Sequence, residues 1–188
     1  MSGILKRLLV INLIASQLLL ILLAIVFQFA FKRQLLLKEI FSLDFTIFSF
    51  FIVIISSALL LLIQLIFLKF VSKERLFDPV NMYLLQNFSL KELLIIFFTG
   101  AISEELLFRA TIQPKVGIAI GSLIFTIVHF RYLNKIFILI EVFIIGVILG
   151  ISYHLTSSIW VPVFCHFFVN LLTAFLYKSG YFSFEKYT

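Results

Sequence analysis

The chain has 188 residues, of which 63% are hydrophobic and only 13% charged, and phenylalanine alone fills 25 positions. Soluble domains carry roughly 45–50% apolar and about 25% charged residues, so a water-soluble enzyme is excluded. So is a disordered chain, which could not stay solvated at this apolarity. The net charge of +6 is compatible with nucleic acid, but the cations stand at the ends of apolar runs, where they act as headgroup anchors and orientation signals. No nucleic-acid partner is expected. The pattern predicts an all-α, multi-pass integral membrane protein, a single domain over 1–188 with the lipid bilayer as its solvent.

A spanning helix needs about 20 mainly apolar residues, at ~1.5 Å rise per residue across ~30 Å of hydrocarbon. The first such run covers 8–31, with Lys6 and Arg7 before it and Lys32 and Arg33 after it. It exceeds the ~7–15 residues of a signal-peptide core and lacks a small-residue cleavage site, so it is expected to remain in the mature protein. The second run covers 45–71. The polar stretch 73–87 follows, with Pro79 as a helix breaker, and reads as the main loop. A third run, 90–113, is expected to stop before Pro114. A short fourth run, 117–130, leads into a tight loop at 131–135, and the fifth and sixth runs cover 136–152 and 159–177. Gly117/Gly121 and Gly146/Gly150 have the small-x-x-x-small spacing that permits close helix contact. The single Cys165 excludes an internal disulfide and a cysteine-based zinc cluster.

With about six transmembrane helices, Lys6, Arg7, Lys69, Lys73, Arg75, Lys91, Arg131, Lys135, Lys178 and Lys186 fall on one side. Lys32, Arg33, Lys38 and Lys115 fall on the other. Positive loops face the cytoplasm, so both termini are expected there.

An ionisable group inside a spanning segment costs roughly 2.5–3.5 kcal/mol, so it needs a partner or a purpose. The third run carries Glu104, Glu105 and Arg109. Glu105 and Arg109 lie one turn apart on one face and are expected to pair, while Glu104 points about 100° away. A structural pair leaves Glu104 unexplained. Phe125 and His129 form an i, i+4 pair on the fourth run, and His166 and Asn170 another on the sixth. Counted from the outer end, Glu104 lies about 12–14 Å deep, His166 about 10 Å and His129 about 15–18 Å. The three groups should therefore share a level.

A carboxylate withdrawn from water holds a proton more tightly and serves as a general base. One imidazole can hold a water beside it, and the second imidazole with the Asn170 amide can donate hydrogen bonds to an oxyanion. Those parts suffice to hydrolyse an amide without a covalent intermediate. Glu104, His129, His166 and Asn170 could equally hold a divalent metal such as zinc that activates water. The residues do not choose between a metal-free and a metal-dependent version, although asparagine is an uncommon zinc ligand.

The three motifs in order, Glu104-Glu105 with Arg109, Phe125 with His129, and His166 with Asn170, resemble the CAAX prenyl endopeptidase and bacteriocin-processing (CPBP or Abi) family of intramembrane proteases. The resemblance covers roughly 90–175. It implies a glutamate-dependent endopeptidase in which Glu104 and His129 activate water, His166 and Asn170 stabilise the oxyanion, and Glu105, Arg109 and Phe125 support the site. It also implies a membrane-associated peptide or protein as substrate. Well-known members have more spans, commonly eight. The compact chain reads as bacterial, from a cytoplasmic membrane, where peptide maturation or bacteriocin immunity is the more natural role.

Other intramembrane protease classes fit poorly, because no H-E-x-x-H, G-x-G-D or G-x-S-x-G occurs. Cys165 diverges from His166 by about 100° along the helix. His154 is expected in a loop, and Glu141 is expected to snorkel toward Lys135. Two readings of other classes stand beside the protease: a non-proteolytic scaffold or immunity protein, and a small transporter relaying protons through Glu104 and Glu105.

Overall fold

The computed structural model describes residues 2–31, 45–132 and 134–184. The described residues are helical throughout, without strands: α1 Ser2–Ala30, α2 Ile47–Phe70, α3 Lys73–Leu76, α4 Pro79–Asn87, α5 Leu90–Glu105, a π-helical segment Leu106–Ile112, α6 Gln113–Val128, α7 Ile136–Thr156 and α8 Trp160–Lys178. Lys32, Arg33, Lys38 and Lys186, used in the charge argument, lie outside the described residues.

Among the described residues five segments, against the six expected, are long and apolar enough to cross a membrane, the expected third and fourth runs falling in one: Gly3–Ala30, Ile47–Phe70, Leu90–Val128, Ile136–Thr156 and Trp160–Lys178. The protein is an all-α membrane helix bundle. The third segment is not straight. Gly117 has φ 81° and ψ 173°, outside any helix, and the chain folds back there. The Phe108 and Phe125 rings lie 4.9 Å apart, whereas one continuous helix would separate residues 17 positions apart by about 25 Å.

Two expected boundaries move as a result. Helix does not stop at Gln113, because Pro114 sits at the start of the helix that resumes after the π segment, where a missing N–H costs nothing. The returning leg is also shorter than a span. From Gly117 to Val128 it rises about 16 Å, roughly half the hydrocarbon thickness.

The stretch 73–87, expected as a loop, contains helices α3 and α4. Pro79 begins α4 instead of breaking one, and Asp78 caps it by accepting a hydrogen bond from the Asn81 N–H at 2.7 Å. Asp-Pro before an apolar stretch is a helix-start signal, and polarity masked it. Ser89 and Glu92 form a reciprocal capping box at the start of α5, and Lys6 of α1 pairs with Glu92 at 2.7 Å. The fifth run extends beyond its expected end to Thr156, so His154 belongs to the last turn of α7.

Three apolar clusters hold the bundle. Leu107, Phe108, Ala110 and Phe125 pack with Val163 and Phe167 around the motif residues. Val53 and Leu60 of α2 meet Leu149, Val161 and Cys165. Leu76, Phe77, Met82 and Phe88 of the α3–α4 strap pack on Leu68, Leu93, Ala174, Phe182 and Phe184. Helix α7 crosses close to α6 at its two glycines. A Cβ at Gly146 would stand 3.2 Å from the Ser122 Cβ, and one at Gly150 would stand 2.9 Å from both Gln113 Oε1 and Ile118 Cγ2.

Candidate active site

Glu104 and Glu105 end α5 at the point where the helix widens into the π segment. Arg109 Nε donates to Glu105 Oε2 at 2.9 Å, with both side chains fully buried, as the i, i+4 spacing predicts. The π turn leaves carbonyls to satisfy, and neighbours supply donors. Thr111 Oγ1 donates to the Leu106 carbonyl at 2.9 Å. Gln28 of α1 donates to the Ala110 carbonyl at 3.3 Å and to Thr111 Oγ1 at 3.2 Å. Gln113 donates to the Gly150 carbonyl at 2.9 Å. Such single-turn π segments mark functional positions in helices.

The fold-back at Gly117 carries His129 to the level of Glu104. His129 is the first residue past α6 (φ −80°, ψ 42°), and its Nδ1 lies 2.6 Å from the Phe125 carbonyl. A carbonyl only accepts, so Nδ1 carries the proton and donates it. The opposite nitrogen, Nε2, faces Glu104 Oε2 at 3.9 Å. His166 of α8 reaches the same oxygen with its own Nε2 at 4.0 Å. Its Nδ1 lies 2.9 Å from Glu105 Oε1 and donates to that carboxylate. His166 thus bridges the two glutamates, a connection that helical spacing on single helices does not reveal.

Phe125 is the hub beneath these groups. Its ring centroid lies 4.7 Å from that of His129 and 6.3 Å from that of His166, and the Arg109 guanidinium sits 5.1 Å over its face. Asn170 is half-buried one turn beyond His166, and among the described residues its amide makes no hydrogen bond. Glu104 and His129 keep 25% and 24% of their side-chain surface exposed, against 10% for His166 and none for Glu105. The first two remain open to a ligand, whereas Glu105 is committed to Arg109 and His166.

Other polar residues lie elsewhere. Cys165 is buried with Sγ 3.9 Å from the Val53 carbonyl, on the α2 side of α8. Glu141 does not snorkel to Lys135. The Lys135 ammonium donates to the Phe77 carbonyl at 2.8 Å and to the Glu74 carbonyl, while Glu141 is 6% exposed with its Oε1 buried and, among the described residues, without a hydrogen-bond partner.

Residues 85–172 match the family model described as type II CAAX prenyl endopeptidase Rce1-like. The similarity to this family covers a little under half of the chain. A Bacillus subtilis (strain 168) protein named as uncharacterized protein YpbD is 34% identical over 95 residues, covering 50% of this chain and 50% of the relative. The aligned part spans about half the length of that relative. No solved structure matches. The matched segment contains Glu104, Glu105, Arg109, Phe125, His129, His166 and Asn170, while Gln28 and Asp78 lie outside it.

Proposed function

We propose that the chain is a glutamate-dependent intramembrane endopeptidase acting on a membrane-associated peptide or protein. The observation that carries this reading is the single carboxylate oxygen, Glu104 Oε2, standing 3.9 and 4.0 Å from two imidazole nitrogens. A water at about 2.8 Å from both Glu104 Oε2 and His129 Nε2 subtends about 90° between them. One of its protons points to the carboxylate, the other to the imidazole lone pair, and its own lone pair is left for a carbonyl carbon.

The reaction then balances without a covalent intermediate. Glu104 takes a proton as the water oxygen bonds to the scissile carbonyl carbon, and the carbonyl π pair moves to oxygen. The oxyanion accepts hydrogen bonds from the Asn170 amide and from Nε2–H of His166 in its imidazolium form, for which Glu105 is the counter-ion. As the tetrahedral carbon collapses and the C–N bond breaks, Glu104 returns its proton to the departing nitrogen. Oxyanion donors of this kind are worth about 2.7–4 kcal/mol each in the transition state.

The metal-dependent version fits the distances less well. Zinc lies about 2.0–2.2 Å from its nitrogen and oxygen ligands in tetrahedral geometry, which sets neighbouring ligand atoms about 3.4 Å apart. The separations of 3.9 and 4.0 Å are wider, and among the described residues no group of three or more His, Cys, Asp or Glu is arranged to hold a metal ion. We therefore adopt the metal-free reading.

The test compares wild type with Glu104→Gln, both purified in detergent, on a library of membrane peptides read by mass spectrometry, with metal analysis of the same samples. New peptide termini that vanish in the variant, at unchanged metal content near zero, are expected. Identical profiles from two folded proteins would sink the protease and favour a scaffold. Stoichiometric metal with chelator-sensitive cleavage would overturn the metal-free mechanism.

A further inference from the structure

His129 ends a half-length leg, so the backbone beyond it needs support that a full span would provide. That support comes from the α3–α4 strap, much of which precedes the family-matched segment. Asp78, 1% exposed, forms an ion pair with the Arg131 guanidinium. Arg131 Nη2 donates to the Tyr132 hydroxyl at 2.7 Å, and Asn81 Nδ2 donates to the same oxygen at 3.1 Å. The Tyr132 ring, 7% exposed, lies parallel to the His129 imidazole with centroids 5.7 Å apart and planes 20° apart. Three consecutive contacts therefore run from a capped strap helix to the imidazole, adding to its own Nδ1 bond and to the Phe125 ring beneath it.

We propose that this strap latch, Asp78–Arg131–Tyr132 with Asn81, is a positioning device that holds His129 against Glu104. Asp78, Arg131 and Tyr132 are positioning residues, because none of them touches Glu104 or the space beside it. The geometry explains why a buried aspartate and an arginine stand at the strap. It also explains why Arg131 and Lys135, whose charges read as headgroup anchors in the sequence, are turned onto the strap. Lys135 closes the C-terminal end of α3 through its carbonyls, a position that favours a cation.

The proposal rests on the endopeptidase reading for its functional meaning, but its test does not depend on cleavage. Diethyl pyrocarbonate acylates accessible imidazole nitrogens, and mass spectrometry of the full chain in detergent reports each histidine separately. Exposed His154 calibrates the dose, and His166, held by Glu105, serves as the internal control. Asp78→Asn is expected to raise the His129 modification rate about threefold or more by local opening, with His166 unchanged. Asp78→Glu is expected to restore the wild-type rate. If Asp78→Asn fails to fold, Tyr132→Phe, which keeps the ring and the ion pair but loses both hydroxyl contacts, is expected to give the same selective rise.

Where a cleaved peptide is in hand, misplacing the imidazole by a fraction of an ångström should lower kcat about tenfold with KM unchanged. Equal His129 rates in wild type and variants would overturn the latch, as would a parallel rise at His166. A wild type that cleaves no peptide defeats the protease reading, while the labelling still decides the latch.

Discussion

Glu104 and Glu105 are chemically identical neighbours with opposite surroundings, and mutation should separate them. Glu105 is fully buried between Arg109 Nε and His166 Nδ1. Glu105→Gln leaves the buried Arg109 cation without its counter-ion, a loss of about 3–5 kcal/mol when one partner of such a pair is removed. Arg109 has little else, since among the described residues its Nη1 and Nη2 have no hydrogen-bond partner and its guanidinium lies over the Phe125 ring. Among the described residues Glu104 makes no hydrogen bond that its replacement would break, so Glu104→Gln should change stability by no more than about 0.5 kcal/mol while abolishing cleavage. Denaturant unfolding in detergent measures the first pair of values. Equal destabilisation by both variants would show that Glu104 is a structural residue. The Glu105–Arg109 pair was legible because both partners sit on one helix at fixed spacing. The bond from His166 to Glu105 was not, because nothing in a single sequence sets the rotation of α8 about its axis.

At the scale of elements, the small-x-x-x-small spacings were legible as packing signals, yet the two pairs turn out to do different work. Gly117 supplies a positive φ with extended ψ at the fold-back, a conformation open essentially to glycine alone, where an alanine would cost about 1–3 kcal/mol. Gly121 has only an ordinary contact, 3.5 Å from the Gln113 backbone. Gly146 and Gly150 mark a close helix crossing. Gly150→Ala must displace Ile118, which is β-branched and stiff, and Gln113, whose amide is tied to the Gly150 carbonyl. Overpacking of this kind costs about 1–3 kcal/mol, against a gain of up to about 1 kcal/mol in helix propensity. The expected net effect is a loss of about 1–2 kcal/mol for Gly150→Ala and a gain of up to about 1 kcal/mol for Gly121→Ala, read from detergent unfolding midpoints. Equal effects would mean that α6 and α7 do not cross at Gly150. The π segment and the fold-back itself were not legible. Pro114 pointed to the neighbourhood of a break, but the conformation that resolves it depends on the donor that Gln28 brings from α1 and on the α7 carbonyl of Gly150 that accepts from Gln113.

Across the whole molecule, hydropathy located every long apolar segment, because the bilayer demands about 20 such residues per crossing. It misread the strap, where Asp78 and Asn81 turn inward onto Arg131 and Tyr132 of the α6–α7 turn while Glu74, Arg75, Gln86 and Asn87 stay exposed. It also misread Glu141, where charge proximity in the sequence suggested an escape to Lys135. Lys135 is spent on the carbonyls of Glu74 and Phe77, so the Glu141 carboxylate stays 6% exposed on α7 with a buried oxygen that has no partner among the described residues. Burying a polar group without a hydrogen bond costs about 1–3 kcal/mol in proteins, and nothing in the candidate site touches this side chain. Replacing it with an apolar residue of similar size removes that cost. Glu141→Leu is therefore expected to raise stability by about 1–2 kcal/mol, seen as a higher unfolding midpoint, and to leave cleavage intact. A destabilised Glu141→Leu would mean that the carboxylate has a partner in the folded protein. A stabilised but inactive variant would mean that the membrane interior holds a second carboxylate required for function, and would revive a proton-relay role for the bundle.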